Sequence, residues 1–206
     1  MKLIDAGLGC RIIEPQVFGD SRGVFFESWN RRRWAEQGLA LYANDHSLLN
    51  ICGVVYSYTA EHEKARQVYL QVLGMSGLST ELKYIAMNNV AYANLQLEDF
   101  SLLAQADEYS EQAFKNVPWH PSLMGTRGAV LVELGQVDVG IELLRMALKK
   151  TTNAQNKAQH ACAIALGELK RGRLLHAQKY LEAARQFDSK CLQLELVVRK
   201  LAVAKQ

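Results

Sequence analysis

The sequence lacks several features that mark common classes of protein. Only three of its 206 residues are proline, which leaves room for long helices. No uncharged apolar run reaches the roughly 18 residues that a membrane-spanning helix needs. The N-terminus has Asp5 soon after Lys2 and shows no apolar core of a signal peptide. These absences predict a cytoplasmic protein with no membrane span.

The residue patterns of metal and nucleophile sites are also missing. The four cysteines, Cys10, Cys52, Cys162 and Cys191, are far apart and form no C-x-x-C pair, and the histidines show no metal-ligand spacing. The phosphate-binding loop and the zinc-protease and serine-hydrolase signatures are absent as well. The sequence therefore predicts no metal and no cofactor. It favours buried, reduced thiols in a cytosolic protein.

Composition and charge narrow the classes further. The chain is 49% hydrophobic and 22% charged, which is typical of a soluble globular protein of one domain, with or without a small appendage. Its net charge of +3 is too weak to predict a nucleic-acid partner. The basic run Arg31–Arg33 is interpreted as a solvated helix surface.

The hydrophobic pattern changes near residue 46. Before that point, the short β-branched run Cys10–Ile13 and the turn cluster Gly19–Gly23 are typical of strands and turns. In residues 47–206, apolar and small residues recur at intervals of three and four, which is helical periodicity. The sequence therefore predicts a β-rich segment at 1–46 and a helical domain at 47–206.

Small residues recur at fixed spacing in the helical domain. At an offset of 37, Gly128 pairs with Ala165, Gly135 with Gly172, Gly140 with Ala177, and Ala147 with Ala184. An earlier copy has Ala106 and Ala113, and the first copy has Gly53 and Ala65. Because Ala65 precedes Ala106 by 41 residues, the second copy should contain a longer loop, around residues 96–102.

This spacing is typical of helical hairpins that cross closely at small residues and bury their apolar faces by stacking. It resembles the tetratricopeptide repeat (TPR), as four units over about residues 47–188. Residues 189–206 look like a closing helix. The resemblance implies a mainly α protein, a TPR-like α-solenoid with a short β-rich N-terminal segment. The segment Pro118–Pro121 is expected to connect two repeats, with the side chain of Trp119 packed in the interior.

In TPR proteins the first helices of successive units line a concave groove, so the resemblance implies a protein partner whose helix or extended peptide lies there. The groove candidates by register are Lys83, Asn94, Glu133, Gln159 and Lys170. Each of these residues has an alternative interpretation as a solvated helix position. Asn88 and Asn89 either bind the partner backbone or bridge helices.

A second resemblance lies in the N-terminal segment. Residues 14–30, EPQVFGDSRGVFFESWN, are similar to the start of dTDP-4-dehydrorhamnose 3,5-epimerases, and a looser match continues to Ser47. That family folds as a cupin-type jelly roll and epimerises a nucleotide-linked keto-sugar. The resemblance places Arg22 and Glu27 on its substrate-contacting positions, and an arginine fork suits a phosphate.

The epimerase resemblance stops before the family's catalytic residues. Its catalytic His and Tyr have no counterpart after Ser47, so no catalytic residue is assigned and enzyme activity is not expected. A jelly roll needs about eight strands, whereas this segment supplies two or three. We expect an incomplete cupin at 1–46 that forms a small β hairpin on the first repeat unit or a poorly ordered extension.

Three hypotheses remain open at this point. The first is an adaptor that binds a protein in the TPR groove. The second is an inactive epimerase-related protein of a rhamnose or nucleotide-sugar pathway, which still binds a dTDP-sugar or pairs with an epimerase subunit. The third is that the join between the two segments is a recombined or truncated reading frame.

Overall fold

The computed structural model describes residues 45–204 in full and, further towards the N-terminus, the backbone of four strands. The strands are β1 Lys2–Gly7, β2 Cys10–Glu14, β3 Val17–Asp20 and β4 Gly23–Phe26. β1 pairs with β2 and β3 pairs with β4, both antiparallel. Arg22, Glu27 and Arg31–Arg33 lie outside the described residues. The incomplete cupin and its packing on the first repeat stay predictions.

Residues 45–204 contain nine α-helices, arranged as four hairpins and a last single helix. They are α1 His46–Tyr58, α2 His62–Leu73, α3 Thr80–Gln96, α4 Leu103–Asn116, α5 Pro121–Glu133, α6 Val137–Lys150, α7 Ala154–Lys170, α8 Leu174–Phe187 and α9 Gln193–Val203. A short 3₁₀ helix, Phe100–Leu102, lies in the longer loop of the second hairpin. The predicted loop and closing helix are confirmed. No helix in this part of the chain has both the length and the apolar content to cross a bilayer.

Side chains and glycines set where the helices begin and end. Asp45, Ser79 and Asn153 each accept a hydrogen bond from the backbone N–H three residues later, at 2.9–3.2 Å, and so begin α1, α3 and α7. Gly135 and Gly172 follow α5 and α7 with φ of 85° and 71°. Because only glycine adopts this conformation at little cost, the two positions end their helices at matching points of the repeat.

The predicted close crossings are confirmed at the third hairpin. A Cβ atom on Gly140 would lie 2.6 Å from the carbonyl oxygen of Gly128, and one on Gly128 would lie 2.8 Å from the carbonyl oxygen of Gly140. The backbones of α5 and α6 are therefore in direct contact. Larger residues fill the space towards the fourth hairpin, as Leu144 and Ile164 do in one buried cluster.

One buried carboxylate also joins the third and fourth hairpins. Glu168 of α7 is fully buried, and its Oε1 atom lies 3.4 Å from Arg145 Nη2 of α6 and 3.3 Å from Arg171 Nη1. Arginine partners reduce the free-energy cost of burying this charge. Glu168 therefore serves the stacking of the repeats.

The expected packing of Trp119 is wrong, because this side chain is 67% exposed. The junction between the second and third hairpins is filled instead by Leu123, which is buried with Met87 and Ala113, and by the half-buried Val117. With that space occupied, the connector carries the indole on its outer side.

Candidate functional site

The first helices of the four hairpins, together with α9, surround a concave groove. α3 contacts α5, α5 contacts α7, and α9 packs on α7 and α8. A pocket with a volume of about 270 Å³ lies between them. Its wall combines apolar side chains such as Val132 and Leu166 with polar ones. The polar side chains include Asn88, Tyr92, Gln159, His160 and Gln193.

Tyr92 of α3 connects this helix with α7 and α9 at the pocket wall. Its hydroxyl oxygen accepts hydrogen bonds from Gln159 Nε2 of α7 at 3.1 Å and from Gln193 Nε2 of α9 at 2.6 Å. Gln193 also donates to Gln96 Oε1 at 2.8 Å. Burial raises the pKa of Tyr92, so the phenol stays protonated at neutral pH. The last helix is thereby tied to α3, so that α3, α5, α7 and α9 form a ring.

An ion pair also joins α9 to the loop after α3, at the edge of the ring. Arg199 Nη2 of α9 lies 2.6 Å from Glu98 Oε1 in the loop after α3, and Lys200 Nζ lies 4.0 Å from Glu98 Oε2. All three side chains are substantially exposed, and surface pairs of this kind contribute little to stability. Their effect is to place opposite charges next to each other at the rim of the pocket.

Two buried polar atoms in the pocket wall have no hydrogen-bond partner within the described part of the chain. They are Asn88 Oδ1 and His160 Nε2, on side chains that are 5% and 6% exposed. The imidazole lies over Gly125, where a Cβ atom would come within 2.0 Å of His160 Cε1. Burial lowers the pKa of His160 to about 4, so the ring is neutral at pH 7.

Several groove candidates have partners in neighbouring repeats. Asn94 is buried, accepts a hydrogen bond from Arg66 Nε at 2.9 Å and donates to Gln105 Oε1 at 3.2 Å. Glu133 Oε2 pairs with Lys170 Nζ at 2.8 Å. The Arg66–Asn94 and Glu133–Lys170 contacts connect adjacent hairpins, whereas the Asn94–Gln105 contact lies within the second hairpin. Asn94 and Glu133 also line the pocket.

The remaining candidates differ in position. Gln159 lies in the pocket wall and bonds Tyr92, as described above. Lys83 is exposed near the beginning of α3, away from the pocket wall. Asn88 Nδ2 donates to Asn89 Oδ1 at 3.2 Å, which leaves the Asn88 oxygen directed elsewhere. The structure thus brings Asn94, Glu133 and Gln159 together around one pocket and leaves Lys83 apart.

Sequence reasoning missed His160, Tyr92 and Gln193 as parts of this site. A signal for Gln193 was present, because it stands four residues before Val197 and eight before Leu201, both buried on one stripe of α9. A polar residue on such a stripe must find a partner inside the fold. His160 carried no equivalent signal, since its neighbour Gly125 lies on a different helix.

Solved structures similar to this chain have the TPR fold. A thermophilic TPR protein of Thermus thermophilus is 21% identical with a TM-score of 0.59, and the match covers 84% of this chain and 88% of that chain. The Cut9–Hcn1 hetero-tetramer of the APC/C is 16% identical with a TM-score of 0.61, covering 84% of this chain and 33% of that one. The helices described above therefore have the TPR fold, as the repeat spacing predicts.

The epimerase resemblance is also supported by a sequence match. The dTDP-4-dehydrorhamnose 3,5-epimerase of Methanothermobacter thermautotrophicus is 32% identical over 66 residues. These residues make up 32% of this chain and 36% of the relative, so this chain spans about a third of that enzyme. No family model matches the sequence.

Proposed function

We propose that this protein is a scaffold that binds a partner protein, with a short extended segment of the partner lying in the groove between α3, α5, α7 and α9. The observation that carries the proposal is the pocket with its two buried, unpartnered polar atoms on Asn88 and His160. Native proteins satisfy nearly all such atoms, so a ligand at this place would supply what the fold leaves out.

The size of the pocket favours an extended segment over a helix. An α-helix with its side chains is about 10–12 Å wide, whereas the pocket holds about 270 Å³ and is closed on one side by the Gln193–Tyr92 hydrogen bond. An extended chain can insert single side chains into such a space. The apolar wall residues Val132 and Leu166 would contact their carbon atoms.

Two alanine-to-leucine substitutions, one in the pocket wall and one outside it, test whether peptides bind in the groove. Ala129 is half-buried in the pocket wall on α5, and Ala104 is exposed on α4. Peptides are first selected from a random-peptide display library against the full chain. We expect the Ala129→Leu variant to bind these peptides about tenfold more weakly or worse, because the added carbons fill the pocket. A tenfold loss of affinity corresponds to about 1.4 kcal/mol of binding free energy. Fluorescence anisotropy measures the affinity.

The Ala104→Leu variant controls for added surface hydrophobicity and should leave the affinity within about twofold. Selected peptides that bind both variants equally would place the binding surface elsewhere, and failure to select any peptide would contradict the proposal directly. Circular dichroism of each variant confirms that the helices are retained before the affinities are compared.

A second candidate function is suggested by the 66-residue match to the epimerase. In this proposal the N-terminal segment binds a dTDP-sugar through Arg22 and Glu27, or pairs with an epimerase subunit, without catalysis of its own. We expect dTDP and a dTDP-sugar to raise the melting temperature of the full chain by mass action, and Arg22→Ala to abolish the rise. An unchanged melting temperature at millimolar ligand would reject nucleotide-sugar binding.

A further inference from the structure

The orientation of the Asn88 side chain leaves an acceptor in the pocket wall. Its amide nitrogen donates to Asn89 Oδ1 at 3.2 Å. The oxygen, Oδ1, is buried without a donor in the described residues. Leaving such an atom unsatisfied destabilises the unliganded protein. A ligand that presents an N–H group here would recover that free energy.

The hydroxyl group of Tyr92 provides a donor close to this acceptor. Its oxygen accepts from both Gln159 and Gln193, which occupies its two lone pairs and leaves the O–H to donate. Gln193 cannot easily reverse its amide, because its Oε1 accepts from Cys191 Sγ at 3.1 Å and its Nε2 donates to Gln96. With both amides in these orientations, the phenolic proton is available to a ligand.

These groups belong to the wall of one pocket. Asn88 and Tyr92 are four residues apart on α3 and so share a face of that helix. His160 directly follows Gln159, whose amide bonds the Tyr92 hydroxyl. All of them line the same pocket. The pocket thus offers an acceptor, a donor and one imidazole nitrogen.

The charges around the pocket disfavour an ionic ligand. Glu98 is paired with Arg199 and Lys200, and Glu133 is paired with Lys170. Asp99, at the exposed rim, accepts a hydrogen bond from the Ser101 backbone and caps the 3₁₀ helix. The deep groups are uncharged, since burial keeps the imidazole neutral. A buried ligand charge would meet no counter-charge among the described residues there.

We propose that the pocket recognises the carboxamide side chain of a glutamine or asparagine in the bound segment, a specificity that rests on the proposed peptide-binding function. A carboxamide is neutral and carries two N–H donors and one carbonyl acceptor. The donors match Asn88 Oδ1 and, in the tautomer with the proton on Nδ1, His160 Nε2, and the carbonyl accepts from Tyr92. A carboxylate lacks the donors, an ammonium lacks the acceptor, and a hydroxyl supplies only one donor.

Peptides selected from the display library against the full chain test this specificity. We expect glutamine or asparagine to be enriched at one position, and its replacement in a synthetic peptide by glutamate or by methionine, which has a similar size, to weaken binding about tenfold or more. The Asn88→Asp variant keeps the shape of the side chain and adds a charge. It should shift the preference at that position from glutamine to lysine, as measured by anisotropy.

The outcomes separate this inference from the proposed function. Peptides that Ala129→Leu displaces but that show no carboxamide preference would overturn the specificity and leave groove binding intact. A preference that Asn88→Asp and Asn88→Leu both leave unchanged would also overturn it. Saturable thermal stabilisation by free glutamine at micromolar concentration, without peptide, would reassign the pocket to a small metabolite. Absence of any groove-bound peptide would overturn both proposals together.

Discussion

Replacing Gly140 by alanine is expected to lower the free energy of unfolding by about 1–3 kcal/mol. The new Cβ atom would lie 2.6 Å from the Gly128 carbonyl oxygen and 2.9 Å from the Val132 backbone nitrogen. Both are backbone atoms of α5, so neither can rotate away and the two helices must separate. Alanine improves helix propensity by up to about 1 kcal/mol over glycine, which offsets only part of this cost.

Urea unfolding of the wild type and of two alanine variants measures the effect. Gly74 ends α2 with φ of −78°, and a Cβ atom there would have its nearest neighbour at 3.5 Å. Gly74→Ala should therefore be neutral or stabilising by up to about 1 kcal/mol, through the entropy of the unfolded chain. Equal stabilities of the two variants would show that α5 and α6 do not touch through their backbones.

Acidification is expected to destabilise the protein through His160. Burial lowers the pKa of this histidine to about 4 from an ordinary 6.5. Between these values the unfolded chain binds a proton that the folded chain excludes, so stability is lost as the pH falls from about 6.5 to about 4. At 1.36 kcal/mol per pH unit, the loss from this one group is about 3 kcal/mol.

A pair of histidine variants isolates this contribution. Burial also lowers the pKa of the half-buried His62, and carboxylates titrate in the same range, so the informative quantity is the change in pH dependence. His160→Gln should flatten the dependence of unfolding free energy on pH between 7 and about 4.5, whereas His176→Gln, at an exposed position of α8, should leave it unchanged. Parallel curves for both variants and the wild type would contradict the buried neutral imidazole.

The repeat architecture could be predicted from the sequence because small residues mark the positions where two helices cross closely and a larger side chain would not fit. Gly128 and Gly140 face each other's backbones. Small residues also stand at the matching positions of the fourth hairpin, where they are Ala165 and Ala177. The extra residues between Ala65 and Ala106 likewise revealed the longer loop. Such constraints act within one hairpin, so they are visible in a linear sequence.

The groove chemistry was less predictable because it depends on how hairpins stack. The register predicted Asn94 and Gln159 as groove residues, and both line the pocket, but it did not predict that Asn94 would bond Arg66, which lies 28 residues earlier. The exposed indole of Trp119 shows the same limit, since Leu123 takes the space that the tryptophan was expected to fill. Contacts between hairpins follow from the curvature of the whole stack.

The hydrogen bond between Gln193 and Tyr92 joins residues that are 101 positions apart. Repeat proteins ordinarily fold as a chain of local steps, since each hairpin contacts only its neighbours. Here the closing helix must find the second hairpin, which adds a contact of high sequence separation and slows the last stage of folding. We therefore expect α3 to α9 to unfold as one cooperative unit.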